Sequence, residues 1–227
     1  MKKGFTLAEV LITLAIIGVV AAMTIPTLIA NYQKKTYVTQ LQKTYSMIAN
    51  AAKMVMADEM VENLNHTYLN VGYNGDALNE EKCKDSVGVF LNKYFRVIKD
   101  CGYVGTSQEQ SECLGNVYYN LKSGSGDFHG YGSYCVQINT GATICMDPFD
   151  DTVPAEIIID VNGPLSPNVI GRDTFMLDMN YRGEIAESFN PDDYSKLFHQ
   201  PERCGVDDPY GFGCFNKIVE DGWKMDY

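Results

Sequence analysis

Glu9 is the only charged side chain in an apolar run from Phe5 to Ala30. An ionised carboxylate in hydrocarbon costs about 2.5–3.5 kcal/mol, so a carboxylate there calls for a partner. Other residue types suited to chemistry lie further on. Seven cysteines (Cys83, Cys101, Cys113, Cys135, Cys145, Cys204 and Cys214) form no CxxC pair. His66, His129 and His199 are scattered, and none stands at metal-ligand spacing from a cysteine. Disulfides in an oxidising compartment are the simplest reading. Asp160, Asn162 and Asp173 are candidate oxygen ligands for calcium, with Asp207 and Asp208 a weaker second set. A DxNG sequence also stabilises a turn without metal. The glycines of KSGSGDFHGYG, residues 122–132, fit neither common phosphate-binding fingerprint and read as a loop. No Ser or Cys stands in an ordered motif with His and a carboxylate, so no catalytic role is assigned.

These residues must be held by elements. The chain has 227 residues, 45% hydrophobic and 21% charged, enough for a packed core. Its net charge of −11 argues against nonspecific nucleic-acid binding. The Phe5–Ala30 run is long enough to cross a bilayer as a helix, with Lys2 and Lys3 before it on the cytoplasmic side. Lys34 and Lys35 follow, so loop charge alone does not fix orientation. After it, Val38, Leu41, Tyr45, Ile48, Ala52 and Val55 recur at alternating spacings of three and four, one apolar stripe on a helix. One helix is therefore expected from Phe5 to about Asp58, roughly 80 Å long, bent near Pro26, which lacks a helix donor. A secretory signal peptide is the alternative, with Val10–Val20 apolar and cleavage near Val20-Ala21-Ala22. The apolar run continues past that site and joins directly to the second pattern.

Residues 80–100 also read as a helix, capped by Asn79 and ended near Gly102. Cys83 and Cys101 would then lie about 27 Å apart along it, too far to bond, which points Cys101 to Cys113. In YCVQINTGATICMD the alternation reads as a hairpin around Asn139-Thr140-Gly141. Folding there sets Cys135 opposite Cys145, and turns Val136, Ile138, Ala142 and Ile144 toward the long helix. Strands are expected at 155–161, 174–180 and 184–187. Cys204 and Cys214 flank a Gly/Pro/Asp loop and pair, with a short helix after them and Trp223 packed at the end. Cys83 is left over.

Lys2-Lys3-Gly4-Phe5-Thr6-Leu7-Ala8-Glu9 resembles the processing site of type IV pilins and of type II secretion pseudopilins. The resemblance covers about the first 30 residues, Pro26 included. The segment Ile157-Ile158-Ile159-Asp160-Val161-Asn162-Gly163-Pro164, with Pro167-Asn168 and Gly171-Arg172-Asp173-Thr174-Phe175, resembles one found in many pilin-like proteins. The resemblance implies an α+β fold: a long N-terminal helix on an antiparallel sheet of about four to five strands, with disulfide-stapled loops. It implies a leader at 1–4, a membrane and filament-core helix at 5–30, its amphipathic continuation at 31–58 and an extracytoplasmic domain at 59–227. It implies cleavage after Gly4 by a prepilin peptidase, and methylation of the Phe5 amine. The subunit would sit in a bacterial inner membrane, N-terminus cytoplasmic, and enter a periplasmic or surface filament. Like subunits, an inner-membrane platform and an assembly ATPase would be its partners. Glu9 would meet the amine of a neighbour, its own amine, or only the headgroup layer. An exported enzyme or binding domain on a signal anchor is the competing class.

Overall fold

The computed structural model describes residues 4, 6–72, 79–105, 111–122, 124–126, 132–148, 155–187, 189–190, 193–197, 200–205 and 211–227. The chain forms two compact units, residues 1–36 and 37–227. One helix, α1 (Leu7–Asp58), runs through both, with Pro26 inside it.

In the first unit the helix is apolar on all sides from residue 10 to 30, and Leu11, Ile12, Leu14, Ile17 and Met23 are exposed. It is long and apolar enough to cross a membrane. Its hydroxyls are satisfied locally: Thr13 donates to the Val10 carbonyl, Thr24 to Val20 and Thr27 to Met23. That is what hydrocarbon requires, since no water is there to take the bond.

In the second unit α1 buries one stripe: Tyr37, Val38, Leu41, Thr44, Ile48, Ala51, Ala52 and Val55. Leu41, Ile48 and Val55 are fully enclosed, each contributing about 1.5–3 kcal/mol of burial. The stripe packs on a six-stranded antiparallel sheet, one strand wider than the upper bound expected. After α1 comes a short segment, α2 (Glu80–Cys83), with Asn79 capping the Lys82 amide. A π turn at Lys84–Gly88 leads into α3 (Val89–Tyr94). Gly88 admits the Tyr134 ring, which a Cβ there would meet at 3.0 Å. The helical region ends at Tyr94, not near residue 100. Phe95 is already extended, and the chain continues as β1 (Val97–Val104). Val97 and Ile98 favour a strand, and pairing to the sheet overrides the helical pattern read in the sequence.

A small ribbon, β2 (Tyr118–Tyr119) with β3 (Ser125–Gly126), precedes β4 (Ser133–Ile138), β5 (Thr143–Met146), β6 (Ala155–Asp160), β7 (Thr174–Met179) and β8 (Ile185–Ala186). The main sheet runs β1-β4-β5-β6-β7-β8. A second ribbon pairs β9 (Phe189–Asn190) with β10 (Asp193–Leu197), and α4 (Cys214–Glu220) closes the chain.

Strand alternation divides the core in two. Val136, Ile138, Ala142, Ile144, Ile157, Ile159, Phe175 and Leu177 face α1. Cys135, Cys145 and Ile158 face the other way and are covered by Cys113, Leu114, Tyr118 and Ile170. Three disulfides staple this arrangement: Cys101–Cys113, Cys135–Cys145 and Cys204–Cys214. Cys83 is a buried thiol whose Sγ contacts the Gly132 carbonyl oxygen at 3.3 Å. Burial pushes its pKa up, to about 12. At the C-terminus Phe215 and Trp223 pack with Tyr45 of α1, ring centroids 5.6 and 5.7 Å away.

Candidate functional site

The first candidate lies where α1 begins. Gly4 is exposed, and nothing lies within 4 Å of where a Cβ would sit. Phe5, Lys2 and Lys3 lie outside the described residues. Thr6 and Glu9 hold each other. The Thr6 amide and the Thr6 hydroxyl both donate to Glu9 Oε2 at 2.8 Å. The Glu9 amide donates back to Thr6 Oγ1 at 3.3 Å. The Val10 amide donates to the Thr6 carbonyl. This is a reciprocal capping box: the cap residue satisfies an orphan amide of the first turn, and the residue three later returns the favour. The Glu9 carboxylate is also well placed for the helix dipole.

The cap shows what partner Glu9 has in a single chain. The sequence signal was present, since Thr6-Leu7-Ala8-Glu9 before an apolar run is a T-x-x-E start. Both bonds from Thr6 land on Oε2, which leaves Oε1 available to a second donor. A carboxylate capped on one oxygen can accept from an ammonium on the other without uncapping its helix. Gly18, further along, has open space where a side chain would project. Pro26 stands in mid-helix without a donor for the carbonyl four residues back.

The second candidate is the loop joining β6 to β7. Asp160 and Asp173 are fully buried. Tyr118 donates to Asp160 Oδ2 at 2.7 Å, and the Asn162 amide donates to Oδ1 at 3.3 Å. Asp173 accepts from the amides of Asn168, at 3.0 Å, and Val169. Asn162 turns its Nδ2 to the carbonyls of Leu165 and Ser166. Burial raises the pKa of Asp160 to about 8, with the nearby Asp173 adding to it. Burial likewise raises Asp173 to about 6, against the amide bonds from Val169 and Asn168.

A calcium ion needs six to eight oxygens and charged carboxylates. Here both carboxylates are engaged by donors of the chain. Asn162 is committed through its amide nitrogen. Among the described residues no group of three or more His, Cys, Asp and Glu side chains is placed to hold a metal. The arrangement does not fit a calcium site. Asp160 and Asp173 instead fasten loops: Asp160 through Tyr118, whose oxygen in turn accepts the Gly115 amide, and Asp173 across its own turn. Asp207, Asp208, His129 and His199 lie outside the described residues. His66 stands in a 3-10 turn at Leu64–His66, away from any cysteine cluster.

No curated protein and no solved structure matches the chain. Residues 1–25 match the family model described as the prokaryotic N-terminal methylation motif, so the chain carries a prepilin-type N-terminus of the kind found in type IV pilins and pseudopilins.

Proposed function

We propose that the chain is a structural subunit of a type IV pilus or type II secretion filament, working by assembly and not by turnover. The observation that carries this reading is continuity. The methylation motif of residues 1–25 opens a helix that runs on, unbroken to Asp58, into a disulfide-stapled sheet. A secreted enzyme has no need of such a join.

A prepilin peptidase cleaves after Gly4, where the backbone is open, and Phe5 becomes the methylated N-terminus. Residues 5–30 hold the subunit in the inner membrane, N-terminus inside, until a membrane platform and its ATPase draw it into a filament. There the exposed apolar helix packs against like helices, and residues 59–227 form the outer surface. Glu9 keeps its cap through Oε2 and receives the ammonium of a neighbouring Phe5 on Oε1. Pairing converts a costly lone carboxylate into a satisfied pair, so docking in register is favoured.

Two variants separate the cap from the assembly role. Thr6→Ala removes the hydroxyl half of the cap and keeps the carboxylate with its bond from the residue 6 amide, costing about 0.5–2 kcal/mol at the helix start. Glu9→Ala removes the carboxylate and leaves Thr6 Oγ1 to accept the amide of residue 9. Mass spectrometry of the native protein should find methylated Phe5 in the wild type and in both variants. Filaments should form with Thr6→Ala and be lost with Glu9→Ala. A mature protein starting near Met23 would end the filament reading. Normal filaments from Glu9→Ala would end the pairing argument alone.

A further inference from the structure

Charge is divided unevenly along the chain. Residues 10–57 contain four lysines, Lys34, Lys35, Lys43 and Lys53, and no acidic residue. Residues 59–227 hold 27 of the 29 acidic side chains but only 12 of the 18 basic ones. Within the second unit, α1 turns its apolar stripe to the sheet and leaves the opposite face exposed: Lys43, Ser46, Asn50 and Lys53. The spacing of three, four and three keeps these on one side of the helix. Lys43 and Lys53 stand about 15 Å apart along it. Among the described residues neither makes an ion pair or hydrogen bond. By contrast Asp58, at the end of the same helix, is already paired with Lys93 at 2.8 Å. There the helix's own acid meets a lysine of the domain and pairs with it. Lys43 and Lys53 have no acidic partner among the described residues.

Resting on the filament reading above, we infer that the Lys43–Lys53 face of α1 docks the acidic surface of residues 59–227 of a second copy of this chain. The occupant follows from charge. A second copy brings a strongly acidic domain to a face free of acids, and complementary potentials favour and orient such an encounter. Two like helix faces would bring lysine against lysine, which is unfavourable, so the contact is heterologous: helix of one copy, domain of the next. A heterologous contact repeats without closing and builds an open helical array. Anionic lipid is the other chemistry that attracts lysine. Lys43 and Lys53 stand about 20 and 34 Å of helix rise past Ala30, each more than one Debye length at physiological salt.

The test uses the full-length protein in its own membrane, with two differently tagged copies co-expressed. Ser46 is exposed, and its hydroxyl bonds only the carbonyl of Gln42 within its own helix, so a benzoylphenylalanine photo-crosslinker can replace it. Light should yield a product joining the two tags, with the adduct in residues 59–227 of the second copy. Lys43→Glu with Lys53→Glu should cut the yield about tenfold or more, the scale of reversed close charge pairs. Lys43→Arg with Lys53→Arg should preserve it. Raising salt to about 0.5 M should weaken the wild-type product by screening, a readout that needs no folded variant. A lipid adduct, an adduct to another protein, no adduct, or a yield indifferent to charge reversal and salt would overturn the inference. Methylated Phe5 and Glu9-dependent filaments with no such product would sink this interface and leave the filament reading standing.

Discussion

Met60 closes α1, and it does so with a backbone conformation that side chains resist. Its φ is +55°, the left-handed region. The Val61 amide donates to the Met56 carbonyl at 2.9 Å, and the Met60 amide to Ala57 at 3.3 Å. These are the two crossed bonds of a Schellman termination, with Met60 at the position glycine usually takes. The methionine side chain is 93% exposed, so it gains almost nothing from packing to offset the strain. A non-glycine residue in this conformation costs roughly 1 kcal/mol. Met60→Gly should therefore raise the unfolding free energy of the domain by about 0.5–1 kcal/mol, read as a higher urea midpoint with an unchanged slope. A lower midpoint would mean that the methionine makes a contact beyond those of the chain itself. Residue-scale features of this kind are faint in the sequence. Nothing about Met60 marks it, and the Thr6–Glu9 cap lies within residues that also match the methylation motif, so the same letters carry two readings.

At the scale of elements, the β4–β5 hairpin was the most legible part of the sheet. Strict alternation set its faces, and a glycine after Asn139-Thr140 set its turn. Gly141 indeed has φ +91°, and Cys135 stands opposite Cys145 in the ladder. The limits of reading appear at β1. Residues 80–100 read as one helix, yet 97–100 become part of an edge strand, because only tertiary pairing with β4 decides between the two. That change removed the reason for excluding a Cys83–Cys101 bond, although Cys101 does bond Cys113. The second core, under the loop at 113–121, was invisible for a related reason: short ribbons such as β2–β3 have no periodicity to read. The Cys135–Cys145 disulfide belongs to that core, with both residues fully buried. Opening its ten-residue separation restores chain entropy worth about 3 kcal/mol to the unfolded state. Replacing both cysteines by alanine should lower stability by about that amount, measured by urea denaturation under oxidising conditions. A loss under about 1 kcal/mol would mean that the turn and ladder alone set the hairpin.

At the scale of the whole molecule, buried acids make stability depend on pH in the direction opposite to a surface salt bridge. Burial raises Asp160 to about 8 and Asp147 to about 7, the latter opposed by its bond from Ser133; Asp173 is raised to about 6. In the unfolded chain all three release their protons near the ordinary aspartate value of about 3.9. Between these limits the folded state binds more protons than the unfolded one, so raising pH favours unfolding. The stabilising contribution is fully present below about pH 4 and is lost as pH rises through 6 to 8. Exposed acids such as Asp58, held low by its bonds from Lys93 and Tyr94, act with the opposite sign, but in solvent they weigh little. The urea midpoint should therefore fall as pH rises from about 5.5 to 8. General charge repulsion in a chain of net −11 has the same sign, so a variant must separate the two. Asp160→Asn keeps the shape and an acceptor for Tyr118 while removing the proton. It should flatten the slope between pH 6 and 8 and leave the variant relatively more stable at pH 8 than at pH 5.5. An unchanged slope in Asp160→Asn would remove Asp160 from the pH dependence and return it to an ionised role in its loop.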